Sequence, residues 1–257
     1  MRFDVLTLFP ELFTPHLSVG ITRRAFESGQ VEVRLWPLRD YALDNYRRVD
    51  DRPYGGGPGM VMLAEPLWRA LSHIKQDRGE VHSPVVHFTP TGQPLTQQLV
   101  TEMANGPGAI LLCGRYEGVD QRLLDQAVTQ EISLGDFVLS GGELPALALL
   151  DAVARLQPGV LTAPSHEQDS FSDGLLEGPS YSRPETLVID GQSLSVPPVL
   201  LSGHHGEIQR FKRQQSLALT AARRPDLIVA ARAAGRLDAQ DEQFLHEHSV
   251  LGRGLYS

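Results

Sequence analysis

The first part of the chain alternates short apolar runs with amphipathic ones. Val5-Leu6-Thr7-Leu8-Phe9 reads as an apolar strand ending at Pro10. Val31, Val33 and Leu35 alternate with Glu32 and Arg34, the period-two pattern of a half-buried strand. Val85-Val86-His87-Phe88 reads as another strand and stops at Thr89-Pro90. Next, Leu95, Leu99, Val100, Met103 and Ala104 share one helical face, and Gly106 ends it. Ala109 to Cys113 is continuously apolar, as a strand covered on both faces would be. Leu144 to Leu156 is a nearly all-apolar helix with Pro145 in its first turn, where a missing N–H costs little. Strands alternating with helices over residues 1–163 predict an α/β domain on a largely parallel sheet.

The pattern changes near residue 164. Pro164 to Ser180 is rich in Pro, Ser, Gly, Asp and Glu, with few large apolar residues, and reads as a mobile linker. Beyond it come Val196-Pro197-Pro198-Val199-Leu200-Leu201, a basic helical stretch and two short helical patterns, the last with Asp238 as its N-cap. Residues 181–257 are therefore expected to form a smaller, mainly helical domain. No internal repeat or low-complexity tract interrupts this order.

Composition narrows the class. With 257 residues, 41% hydrophobic and 21% charged, the chain can bury a sizeable core and resembles ordinary soluble globular proteins. No apolar run is long enough to span a bilayer, so no membrane partner is expected. Asp4 interrupts the apolar start, which excludes a secretory signal there and makes the cytoplasm the default location. Cys113 is the single cysteine, which rules out an internal disulfide and a cysteine-rich zinc site. The net charge of −8 weighs against a polyanionic partner. Net charge averages over patches, however. Arg210, Lys212, Arg213, Arg223 and Arg224 face Glu207 alone between residues 207 and 224. That stretch fits either a solvated helix face or an RNA contact.

Three glycine-rich loops are the candidate chemistry: Gly55-Gly56-Gly57-Pro58-Gly59, Gly114-Arg115-Tyr116-Glu117-Gly118, and Gly135 through Gly142. The second directly follows the buried strand. Ligands of open α/β sheets bind beyond the carboxyl ends of strands, where bare backbone can approach them. Glycine also serves simple tight turns, so each loop alone fits either use. None carries a phosphate-binding fingerprint. Arg155, at the end of the apolar helix, fits a helix-end cation with Asp151 one turn earlier. Asp169 fits a solvated linker carboxylate. His204-His205 lacks a third metal ligand, and Cys113 reads as a small core residue. No serine-hydrolase elbow is present.

At these loops the chain resembles the bacterial tRNA (guanine-N(1))-methyltransferase family of the trefoil-knotted SPOUT superfamily. The resemblance is carried by Val49 to Met60 (VDDRPYGGGPGM), Cys113 to Asp120 (CGRYEGVD) and Ser133 to Ala154 (SLGDFVLSGGELPALALLDAVA) running into Arg155. It continues in Asp169-Ser170-Phe171, Tyr181-Ser182-Arg183-Pro184 and Val196 to His205 (VPPVLLSGHH). It implies a knotted, parallel-sheet catalytic domain, a fold that ordinary topology rules would not anticipate. It implies that S-adenosylmethionine binds there, largely through backbone groups. The first contacts would be His87, Phe88, Pro90, Gly114, Tyr116 and Glu117. The third loop would add Ser133, Leu134, Gly135, Asp136, Phe137, Val138, Leu139, Gly141, Gly142 and Pro145. The methyl acceptor would be the guanosine just 3′ of the anticodon, preceded by another guanosine. Asp169 would be the general base and Arg155 its electrostatic partner. Arg183, His204, His205, Arg210, Lys212 and Arg213 would contact tRNA. A homodimer with shared active sites and assistance from magnesium are implied as well.

Two positions depart from the family, which often has tyrosine where this chain has His87 and Phe137. The tail from about Ser249 matches no family motif. The implied chemistry is self-consistent. Guanine carries a proton on N1 and becomes nucleophilic when a carboxylate removes it. The charge then spreads to the carbonyl oxygen, where a guanidinium stabilises it. Three other readings fit parts of the chain: a catalytically silent RNA-binding module, a methyltransferase of this fold acting on another RNA site, and a nucleotide hydrolase. The glycine loops with Arg155 and Asp169 disfavour the first. The Asp169-Ser170-Phe171 and SGHH segments disfavour the second. The lack of a phosphate-loop lysine disfavours the third.

Overall fold

The computed structural model describes residues 1–79, 83–161 and 169–250, without the side chains of residues 249 and 250. Its compact units are Met1–Thr162 and Ala163–Ser257. The expected linker residues 164–168 and the tail from 251 lie outside the described residues.

The first unit is built on a five-stranded parallel sheet. Its strands are β1 (Arg2–Thr7), β2 (Glu32–Pro37), β5 (Val85–Pro94), β6 (Ile110–Leu112) and β7 (Gln130–Ser133), in the order β2-β1-β6-β5-β7. Two short strands, β3 (Asp50–Asp51) and β4 (Val61–Met62), pair antiparallel outside it. Helices α1 (Phe13–Ser18), α2 (Arg23–Glu27), α4 (Gln97–Ala104) and α6 (Glu143–Arg155) accompany α3 (Ala64–Arg78) and α5 (Gln121–Ala127). Alternate residues of the central strands enter two cores. Phe3, Val5, Val86 and Leu111 pack with Leu149, Leu150 and Val153 of α6. Leu6, Ile110 and Leu112 pack with Leu67, Leu71 and Ile74 of α3. A sheet covered on both faces explains the continuous apolar run at Ala109–Cys113.

Two strands differ from their sequence-based limits. β1 starts at Arg2 and ends at Thr7, because Asp4 lies fully buried within it. Its carboxylate accepts from Arg2 and Arg78 at 2.7 Å each and from the Trp36 indole at 2.8 Å. β5 continues past Thr89-Pro90. Both Phe88 and Gln93 pair with Ile132, so residues 89–92 loop out before the ladder resumes. Gly92 permits that return: a Cβ there would lie 2.4 Å from the Ile132 nitrogen. α3 is the largest helix of this unit, although the sequence reading did not single it out. Leu67, Ala70, Leu71 and Ile74 bury its inner face, and Gly79 at φ +67 ends it.

The second unit is mainly helical, with α7 (His205–Arg223), α8 (Pro225–Ala233) and α9 (Ala239–Val250). Leu217, Ile228, Ala231 and Leu245 form its core with Leu175. The Asp241 amide donates to the Asp238 carboxylate at 2.8 Å, an N-terminal cap on α9. A hairpin, β8 (Thr186–Ile189) with β9 (Gln192–Ser195), adds to this helical unit. Asp190 and Gly191, at φ 50 and 77, form its two-residue turn, a signal that the Asp-Gly pair carries in sequence. From Leu175 onward the expected mobile linker is bound to this unit. Leu175 is buried, and the Leu176 amide donates to Thr220 Oγ1 at 2.9 Å.

Candidate active site

A cleft of about 310 Å³ opens at the β5 loop-out, residues 87–90, and beyond the carboxyl ends of β6 and β7. Parallel α/β sheets bind ligands at this end. Fifteen of the sixteen residues expected at a cofactor line it; Asp136 is exposed and outside the lining. Thr89, Arg115, Gly118, Ile132 and Ser140 complete the wall.

Backbone contacts bring the loops together. The Gly142 amide donates to the Gly114 carbonyl at 2.9 Å, tying the second loop to the third. A Cβ on Gly142 would lie 2.8 Å from the Cys113 Cα, so the strand end and α6 meet only through glycine. The first glycine loop joins from the other side. The Glu117 amide donates to the Met60 carbonyl at 2.9 Å, and the Met62 amide to the Gly118 carbonyl at 2.9 Å. Tyr116 stands at φ 59, a conformation that costs a non-glycine residue free energy. Partial burial, followed by a hydrogen bond to Asp50, raises its phenol above the ordinary value.

Beside this wall lies a network that residue spacing does not reveal. Glu143 is fully buried at the start of α6. Its carboxylate accepts from Thr7 Oγ1 and from Arg115 Nε, each at 2.8 Å. Arg115 also donates to the Ser140 carbonyl at 3.2 Å and stacks over the Phe9 ring at 4.6 Å. A Cβ on Gly141 would strike Arg115 Nε at 2.2 Å. One ion pair thus joins the end of β1, the second loop and the third loop. Arg115 stands inside the GRYEG motif, and only that position hinted at its importance.

His87 is 6% exposed on the cleft wall. Burial holds its imidazole below the ordinary value, while Glu131, 3.5 Å from Nδ1, pulls the other way. A Cβ on Gly114 would come within 2.9 Å of His87 Nε2. Phe137, the other departure from the family, is 53% exposed, with its ring beside Gly135. Cys113 is fully buried, and burial followed by the Glu143 charge pushes its thiol well above the ordinary value. It behaves as a core residue, as its strand position suggested.

The remaining expected residues are distributed between the units. Arg155 is the half-buried last residue of α6 in the first unit. Asp169 is half-buried in the second unit, in a turn where the Ser172 amide donates to its carbonyl at 3.1 Å. Neither unit by itself assembles this pair. Arg183, His204, His205, Arg210 and Lys212 are exposed in the second unit. Arg213 is half-buried and already engaged within the second unit. Its guanidinium holds Asp241 at 2.8 Å, bonds Asp173 and donates to the Arg236 carbonyl at 3.3 Å. Those carboxylates, distant in sequence, make it an internal clamp.

The motifs that converge on the cleft extend over most of the chain. Residues 1–230 match the protein family described as tRNA (Guanine-1)-methyltransferase TrmD. A protein of Leptothrix cholodnii named tRNA (guanine-N(1)-)-methyltransferase is 68% identical over 246 residues, covering 95% of this chain and 98% of its own. Proteins with the same name from Methylibium petroleiphilum and Paracidovorax citrulli are 63% and 62% identical. They cover 99% and 95% of this chain, and 100% and 97% of their own lengths. The chain belongs to the tRNA (guanine-N(1))-methyltransferase family.

Proposed function

We propose that this protein transfers a methyl group from S-adenosylmethionine to N1 of the guanosine immediately 3′ of the tRNA anticodon. The observation that carries this reading is the cleft lined by the second and third glycine loops of the family motifs. Its volume of about 310 Å³ suits a small ligand, and its wall mixes backbone groups with apolar Pro90, Leu139 and Pro145. S-adenosylmethionine, when bound, supplies a sulfonium methyl that needs alignment but no acid. The Gly114 and Gly142 backbones, the buried His87 and the Arg115–Glu143 pair hold that ligand's walls in place.

The proton is handled by side chains. Asp169 accepts it from guanine N1, and the Arg155 guanidinium stabilises the charge that reaches O6. Arg155 and Asp169 lie in different units, and the reading joins them in a homodimer with shared sites. RNA binding that brings Asp169 to the bound guanine would complete the site, an induced-fit form of specificity. Among the described residues no cluster of three or more His, Cys, Asp or Glu is arranged to hold a metal ion.

No helix among the described residues is long and apolar enough to cross a membrane. The test is a methyl-transfer assay on tRNA transcripts with and without guanosine 3′ of the anticodon, followed by identification of the modified base. N1-methylguanosine only in the first transcript is expected. Methylation of a ribose, or of another base, would overturn the reading.

A further inference from the structure

The second unit contains a cavity of about 560 Å³, larger than the cleft of the first. Its floor is α7, and its wall is the segment 173–181 with Leu200 at the rim. The wall is built in. Leu176 donates through its amide to Thr220 Oγ1 at 2.9 Å and accepts from Ser216 Oγ. Gly178 lies so near α7 that a Cβ would sit 3.2 Å from both Gln215 Cβ and the Ser216 nitrogen. A cavity fixed before binding loses little freedom when it is filled.

The lining has a definite chemistry. Leu176, Leu200, Ile208 and Phe211 form an apolar bed, and Tyr181 stands 47% exposed at the edge. Glu177, Gln209 and Lys212 line it as well, all exposed. Arg213 is engaged by Asp173 and Asp241, leaving Lys212 as the exposed cation of the lining. An aromatic edge over an apolar bed suits a flat ring. A carboxylate and an amide suit the donors and acceptors on a base edge. One ammonium suits one phosphate, and Arg210 continues the positive charge along α7. A lipid chain would leave the polar groups of the lining desolvated without partners.

We propose that this cavity binds an unpaired nucleotide of the tRNA other than the methyl acceptor. Tyr181 and Phe211 hold its base, and Lys212 its phosphate. The proposal rests on the tRNA reading above, and its role is to fix the register of the loop so that one guanosine reaches the first unit.

The experiment uses the full chain and tRNA transcripts carrying 2-aminopurine at one unpaired position at a time. With wild-type protein, one position other than the acceptor should change its fluorescence sharply. Tyr181→Leu keeps apolar contact but removes the stack. It should abolish that change and weaken tRNA binding about tenfold, within the range for one stacked base. The salt dependence of binding should stay as it was. Lys212→Gln should instead lower the logarithmic salt slope by about one. S-adenosylmethionine affinity should be unchanged in both variants. Wild type that methylates tRNA normally, while Tyr181→Leu binds equally well and gives the same fluorescence, would overturn the pocket alone. Wild type that neither binds nor methylates tRNA would overturn the functional reading and this proposal with it.

Discussion

The two ends of the sheet each hold a fully buried carboxylate, and they use it differently. At the amino ends, Asp4 is enclosed by Arg2, Arg78 and Trp36. Arg78 also donates to the Arg2 carbonyl at 3.0 Å and to Ser83 Oγ at 2.7 Å, so α3 is locked to β1. Arginine and tryptophan side chains there answer the carboxylate. At the carboxyl ends, Glu143 has one arginine and one threonine as partners. Those contacts fix two glycine loops, whose backbone groups line the cleft. One end holds the frame, while the other holds in place the loops that line the cleft.

The largest effect should lie away from both carboxylates, at the proposed base. Asp169→Asn keeps the shape but cannot take the guanine proton. Single-turnover transfer with saturating tRNA and cofactor should slow on the order of a hundred- to ten-thousand-fold. Activity should partly return as rising pH deprotonates guanine unaided. An unchanged rate, with chemistry limiting, would remove Asp169 from the mechanism.

Asp4→Asn tests the frame. Removing the charge of a fully buried carboxylate held by Arg2 and Arg78 should cost about 3–5 kcal/mol in denaturant unfolding. Cofactor affinity of the protein that remains folded should not move. A weakened affinity with intact stability would reverse the division between the two ends. Glu143→Gln tests the other carboxylate. Losing a charged hydrogen bond of about 1.5–3 kcal/mol should release Arg115 and weaken cofactor binding roughly tenfold or more. Calorimetry on the folded variant measures it, and an affinity equal to wild type would leave Glu143 a purely structural residue.

The smallest effect concerns pH. Burial lowers the His87 pKa in the folded chain below its ordinary value of 6.5. As pH falls through 6.5, the unfolded imidazole takes up a proton that the folded one still refuses, so this group removes stability on acidification. His87→Tyr should lose that increment of acid sensitivity, measured as the unfolding midpoint between neutral and mildly acidic pH. Identical pH profiles would mean that Glu131 cancels the effect of burial.

The sequence made the cleft legible because glycine loops follow apolar strands, and their positions converge once the strands are parallel. It left the Arg115–Glu143 pair hidden, since residues 28 apart share no periodicity and meet only after folding. The clamp that Arg213 makes on Asp173 and Asp241 was hidden for the same reason, since they are 40 and 28 residues away. The β5 loop-out was hidden because Thr89-Pro90 resembles a strand end, whereas pairing resumes at Gln93. By contrast, the spacing in α3 and the Asp190-Gly191 turn carried signals that local reading can recover.

The central claim, that the carboxyl-end cleft is the cofactor site, is tested most directly by titrating S-adenosylmethionine into the protein without RNA. Wild type should bind. Gly141→Val should bind about tenfold or more weakly, a loss of about 1.4 kcal/mol or greater, because its side chain meets Arg115 at the cleft wall. Equal affinities for two folded proteins would contradict the account and move the cofactor elsewhere.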